Sequence, residues 1–286
     1  MKLAAITDEI SQDFEHALDV LSEYGGTGAE LRGLWGTNIA DLDQDQAERA
    51  KKALKQRGIE VCCLASPFYK CDLYSDEAAV AGRMHLAQAR KYDDQFELLD
   101  RLITLADFFE TRMIRIFTFW RRQEMNAEIE QRIIEAVASA VEVAERRNVV
   151  LCLENEHACY VGTGAETARV VSAIPSECLA VCWDPGNALA AGEVPYPDGY
   201  LAVRDRIAHV HVKDAVLKDG KPEWCVVGSG IIDYRGHLSA LHDAGYKGYV
   251  SLETHYIPQG GTPEDGSRPS LASLDQLLKD GQKDVP

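Results

Sequence analysis

Positive charge is scarce in this sequence of 286 residues: 30 Lys and Arg stand against 46 Asp and Glu, a formal net charge of −16. A surface of that sign repels phosphate backbones, which argues against nucleic acid as a partner, and it gives no help in attracting anionic substrates. Also missing is any apolar run approaching the roughly 18 residues a membrane span needs. No hydrophobic stretch precedes the first acid of Met1-Lys-Leu-Ala-Ala-Ile-Thr-Asp8, so no secretory signal is expected. The eight cysteines, at 62, 63, 71, 152, 159, 178, 182 and 225, include no C-x-x-C pair. Several fall inside apolar runs, where Cys acts as a small hydrophobe. Free thiols in a reduced cytoplasm, with no membrane partner, are the expectation. No linker, low-complexity tract or sequence repeat divides the chain. Its length suits one (β/α)8 barrel, which takes roughly 250 residues, and one domain over 1–286 is expected, with 281–286 as a tail.

What is present is concentrated between Val149 and Glu253. Four short apolar runs there each lead into a metal-type ligand: Val149–Leu153 into Glu154, Leu179–Trp183 into Asp184, Ile207–Val212 carrying His209 and His211, and Tyr249–Leu252 into Glu253. Each run is short, apolar and bounded by Gly, Pro or charge, so each reads as a buried strand. Helical patterns separate them, the mark of βαβ units and a parallel sheet. A parallel barrel gathers the C-terminal ends of its strands on one face, where its chemistry sits. Three carboxylates and an imidazole would converge there, a donor set suited to Mn²⁺, Mg²⁺, Co²⁺ or Zn²⁺.

The rest of the chain completes the count. Strands are expected at Leu3–Ile6, Ala29–Leu31, Ile59–Leu64 and Met113–Phe117, and helices over 13–24, 44–57, 93–109, 128–147, 165–173, 233–244 and near 270–280, with a weak one within 186–206. The stretch 76–92 either extends the third helix or forms a lid, and the loop 214–232 holds a small hairpin around Trp224–Val227.

Each candidate ligand is ordinary on its own. Glu154 and Glu253 read equally as solvated strand-end acids, with Glu156 the runner-up to Glu154. Asp184 lies in Trp-Asp-Pro-Gly-Asn187, which is strong turn chemistry. His209 and His211 alternate on one strand and point the same way, and His211 lies nearer the C-terminal end. Ligand types at four successive strand ends are what make the set informative.

The pattern Leu-Glu154-Asn, Trp-Asp184-Pro-Gly-Asn187, His209-Val-His211-Val-Lys-Asp214, Gly228-Ser-Gly230-Ile-Ile-Asp233 and Ser-Leu-Glu253 resembles the sugar phosphate isomerase/epimerase superfamily, the xylose-isomerase-like TIM barrels. The resemblance runs from Ile6-Thr-Asp8-Glu9 to Glu253. It implies a divalent cation, commonly Mn²⁺ with Mg²⁺, Co²⁺ or Zn²⁺ as alternatives, held by Glu154, Asp184, His211 and Glu253, with Glu154 and Glu253 also moving protons. The expected function is isomerisation or epimerisation of a sugar, keto-sugar or polyol derivative through an enediolate. A lyase or dehydratase acting on a keto-inositol, a dehydroshikimate-like acid or a 3-keto-glycoside is the alternative, and a non-catalytic sugar-binding or partner subunit is the third. The ketose 3-epimerases often place His where Asn187 stands, and ligands are apparent for one cation only. Members often pair, so a homo-oligomer is possible.

Arg32, Lys70, Trp120, His157, Asn187, Lys213 and His255 fall at the same rim and are candidates for contact with a carbohydrate substrate. Arg32 and Lys70 read equally well as ion-pair partners of rim acids such as Glu30 or Asp72. Trp120 can stack on a sugar face, whereas Phe117 and Phe119 suit the core. Gly228-Ser-Gly230 and Gln259-Gly-Gly261 are either phosphate-binding turns or plain ones.

Overall fold

A computed structural model describes residues 1–74 and 80–281. Eight strands, β1 (Lys2–Ile6), β2 (Gly28–Leu31), β3 (Glu60–Leu64), β4 (Met113–Ile116), β5 (Val150–Glu154), β6 (Leu179–Trp183), β7 (Ile207–Val212) and β8 (Tyr249–Leu252), close into a barrel in sequence order. All neighbours are parallel, and β1 pairs with β8 to complete the ring. This is a TIM barrel. Helices fill the crossovers: α1 (Phe14–Glu23), α2 (Gln44–Arg57), α3 (Gln95–Phe109), α4 (Ala127–Arg147), α5 (Gly164–Ala173), α6 (Pro185–Ala190), α7 (Tyr234–Asp243) and α8 (Pro263–Asp280).

Local chemistry sets these boundaries. Asp43 and Gln46 form a reciprocal capping box that starts α2, and Gly58, at φ 64°, ends it in the left-handed conformation. Thr163 and Glu166 start α5 in the same way. Two expectations need correcting. α8 begins at Pro263 rather than near 270, because Thr262 and Asp265 make a capping box and Pro263 needs no amide proton in the first turn. Gly266 lets that helix press on the chain, since a Cβ there would lie 2.0 Å from the Tyr256 carbonyl oxygen. The hairpin after β7 pairs Asp214–Lys218 with Lys221–Cys225, earlier than expected. Residues 80–92 do not extend α3, which starts at Gln95; residues 76–79 of that stretch lie outside the described residues.

Alternation along the strands sorts the core into two layers. Leu151, Leu153, Val181, Trp183, Val210, Val212, Val250 and Leu252 pack outward with the helices in one large cluster. The residues between them face the barrel axis. Low in the lumen these are small: Cys152, Ala180 and Cys182 form their own cluster. Higher up several are charged, among them Glu30, Arg115, Glu154 and His211, so these apolar-looking strands hide a polar interior.

On α7, His237 sits outside this lumen. Its ring is 5.1 Å from Tyr200, 5.9 Å from Tyr196 and 6.4 Å from Tyr234, and neither nitrogen has a hydrogen-bond partner among the described residues. Burial holds its pKa down to about 3. An unfolded histidine titrates at about 6.5, so below that pH the unfolded chain binds a proton the fold refuses. Stability falls with pH from there toward the folded value, by about 1.4 kcal/mol per unit. His237→Phe should therefore remove a loss of about 2 kcal/mol between pH 7 and pH 5. Urea unfolding at both pH values checks this, and equal losses in the two proteins would refute it.

Candidate active site

Lumen-facing parity carries four side chains to one place at the C-terminal ends of β5 to β8. One ligand atom from each of Glu154, Asp184, His211 and Glu253 lies within 4.8 Å of all the others, and all four residues are buried. His211 Nδ1 is 3.2 Å from Glu154 Oε1, 3.8 Å from Asp184 Oδ2 and 3.9 Å from Glu253 Oε2. The turn and ligand readings of Asp184 are compatible. Its Oδ1 accepts from the Asn187 amide at 2.8 Å and caps α6, while Oδ2 faces the cluster.

Cations surround these carboxylates. Lys213 Nζ, also buried, lies 2.5 Å from Glu253 Oε2 and 2.7 Å from Asp184 Oδ2. Arg32 Nη1 is 2.8 Å from Glu253 Oε1, and Arg115 Nη1 is 3.3 Å from Glu154 Oε2. Burial alone would push Glu253 up, but Lys213 and His255 outweigh it and hold the carboxyl well below the usual range. For Asp184 burial prevails over Lys213 and raises it. Burial disfavours the His211 cation, yet Cys182, Glu30 and Glu154 overcome this and raise its pKa well above normal.

The donor set fits a divalent cation. Among the described residues Glu154 Oε2 and Asp184 Oδ2 are buried without a hydrogen bond, the latter because Lys213, though close, stands outside hydrogen-bonding geometry. Buried carboxylate oxygens normally have such partners. Three carboxylate oxygens and an imidazole nitrogen are borderline-to-hard donors of the kind Mn²⁺, Zn²⁺ and Mg²⁺ accept. A cation and a proton would compete for His211 Nδ1.

The sequence profile of the xylose isomerase-like TIM barrels matches residues 18–277. The chain belongs to that family. Among curated proteins it is 29% identical over 150 residues to an inosose dehydratase of Klebsiella pneumoniae, a match spanning 46% of this chain and 50% of that protein. It is 26% identical over 225 residues to a 3-oxo-isoapionate decarboxylase of Pectobacterium atrosepticum, covering 71% of this chain and 78% of the other. Among solved structures, IOLI protein with a bound zinc atom superposes with TM-score 0.75 at 17% identity, covering 98% and 99% of the two chains. A D-tagatose 3-epimerase-like protein does so with TM-score 0.75 at 18% identity over the full length of both. At that identity the structural likeness shows the fold.

The other rim candidates are brought to the same mouth, with partners that differ from those expected. Arg32 does not pair with Glu30. Its Nε meets both Asp8 oxygens at 3.1 Å, and Nη2 meets Glu9. Lys70 pairs with Glu156 at 3.4 Å and lies 4.3 Å from the Phe117 ring, while Asp72 is taken by Arg122. Glu156 therefore turns away from the cluster. Asn187 donates to Glu154 Oε1 at 3.1 Å and meets His157 Nδ1 at 3.2 Å. Half-exposed His157 also meets Glu156 at 2.9 Å, a hydrogen bond that raises its pKa. His255 stacks on His85 at 5.8 Å, and its Nε2 lies 3.5 Å from Glu253. Trp120 is wholly buried with Phe117 and Cys159, so its face is packed rather than open to a sugar. Gly228 and Gly230 do not present their amides to a phosphate. Both donate to Asp214 Oδ2, at 2.9 and 3.0 Å.

Sequence reasoning took Glu30 only as a rim acid for Arg32 or Lys70 and passed over Arg115 and His85. Glu30 lies between Ala29 and Leu31, and Arg115 between Ile114 and Ile116. A charge flanked by apolar residues in a buried strand is the signal that marks both as facing the lumen.

Proposed function

We propose that this chain is a divalent-cation-dependent lyase that removes water from a cyclic or open keto-polyol, with a keto-inositol as the first substrate to try. The reading rests on one observation, the buried cluster of Glu154, Asp184, His211 and Glu253 with two carboxylate oxygens lacking hydrogen bonds. The names of the sequence relatives, a dehydratase and a decarboxylase, favour loss of a substituent over epimerisation. They reverse the order in which the sequence alone ranked the two enzyme classes.

Glu154, Asp184, His211 and Glu253 would hold the cation. When bound, it supplies a Lewis acid that draws charge from the carbonyl and neighbouring hydroxyl oxygens of the substrate. Glu253 is held ionised by Lys213, Arg32 and His255, and so is available to take the proton from the carbon next to the carbonyl. That C–H bond breaks, a C=C bond forms, and the β-hydroxyl leaves with a proton as water. Glu154, oriented by Asn187 and Arg115, serves as the second proton carrier. Burial of the cluster keeps bulk water from quenching the charge that develops.

The test is incubation of the purified protein with a keto-inositol and a ketose panel in deuterated water, with Mn²⁺, Mg²⁺, Co²⁺ or Zn²⁺ added in turn. A lyase produces an ultraviolet-absorbing unsaturated carbonyl. An epimerase or isomerase incorporates deuterium at the α-carbon without that absorbance. Deuterium without absorbance would replace the lyase reading, and neither signal with any of the four metals would remove both.

A further inference from the structure

Behind the cluster, deeper in the lumen, Glu30 from β2 reaches across the barrel to β7. His209 Nε2 is 2.9 Å from Glu30 Oε2, and His211 Nε2 is 3.1 and 3.0 Å from its two oxygens. All three residues are fully buried. The two imidazoles lie 5.4 Å apart at 84°, so each presents its Nε2 edge to the same carboxylate.

We infer that Glu30 is a positioning residue that fixes the proton of His211 on Nε2 and so dedicates Nδ1 to the cation. The inference rests on the metal centre proposed above. An ionised carboxylate only accepts hydrogen bonds, so both facing nitrogens must carry protons. His211 Nδ1 also meets the Glu154 carboxylate at 3.2 Å, so a proton on Nδ1 is the one a cation displaces, and the freed lone pair faces Glu154, Asp184 and Glu253. The other tautomer would set an Nε2 lone pair against a charged carboxylate and an N–H where the cation belongs. His209 supplies the second donor that keeps Glu30 turned toward β7. Its remaining nitrogen, Nδ1, has no partner among the described residues, which fits an orienting role for its Nε2–H. Carboxylates hydrogen-bonded to the far nitrogen of a metal-binding imidazole set ring orientation and ligand basicity in this way.

Glu30→Gln tests it. The amide can accept from one imidazole but offers an N–H to the other, so His211 loses its fixed tautomer. Zn²⁺ titrated calorimetrically into metal-stripped protein should bind the variant about 10- to 100-fold more weakly than the wild type. Equal affinity in a variant with a wild-type circular dichroism spectrum would overturn the inference and leave the centre standing. Absence of Zn²⁺ binding by the wild type would remove the centre and the inference together. If the variant does not fold, long-range proton–nitrogen NMR of the Zn²⁺-loaded wild type decides. His211 should carry its proton on Nε2, and a proton on Nδ1 would overturn the proposal. A role confined to packing would move the melting temperature without moving that proton.

Discussion

Glu253→Gln should reduce turnover by about a thousandfold or more while the protein stays folded. The substitution keeps shape and removes one charge, so it takes away the proposed proton acceptor and weakens the proposed cation ligand together. The fold tolerates the loss because each neighbouring cation keeps another partner: Lys213 retains Asp184 at 2.7 Å, and Arg32 retains Asp8 and Glu9. Product formation in the ultraviolet assay, read beside a thermal melt, separates the two effects. Glu154→Gln should behave alike, since Asn187 and His211 both still find a polar atom there. Near-wild-type rates in either variant, with metal present, would end the assignment of proton transfer to these residues.

Arg32→Met should be the most destabilising single change at the mouth, by about 3–5 kcal/mol. The guanidinium is spent on Asp8, Glu9 and Glu253, and its side chain is 3% exposed. Removing it leaves three carboxylates crowded together with little water to screen them. At a few degrees per kcal/mol, the melting temperature should fall by roughly 10 °C. The deficit should shrink as the pH drops toward 5, because protonation relieves uncompensated carboxylates. A melt within a degree or two of wild type at pH 7 would show that the cluster does not depend on this arginine.

Much of this architecture can be read from the chain. β6, β7, β8 and α2 have the bounds expected, because strong punctuation surrounds them: Asp184-Pro-Gly after β6, Lys213-Asp214 after β7, Glu253 after β8, and Asp43 and Gly58 around α2. The convergence of Glu154, Asp184, His211 and Glu253 follows once the strands are known to be parallel and closed. The partners of each charge are less legible, since they depend on which loops meet across the ring. Arg32 follows β2, yet its acids come from the end of β1, its neighbour in the closed sheet, and from the end of β8, one strand further round. Glu30 and Arg115 were visible as charges in apolar runs but carried no ligand-like position at a strand end. The start of α8 was obscured by the Gly and Pro content of 257–268, where composition suggests a loop and the capping residues decide otherwise.

The seat made by Gly228 and Gly230 has a resident. Asp214 Oδ2 holds both amides and its Oδ1 takes those of Ala215 and Ile232, at 2.9 and 3.4 Å, and a Cβ at residue 230 would lie 2.1 Å from that oxygen. A phosphoryl group arriving at this loop would compete with a rival tethered to the same chain, which is always present at high effective concentration. The amides of Gly228 and Gly230 are thus already taken, and the loop after β7 holds out no free donors to a phosphoryl group.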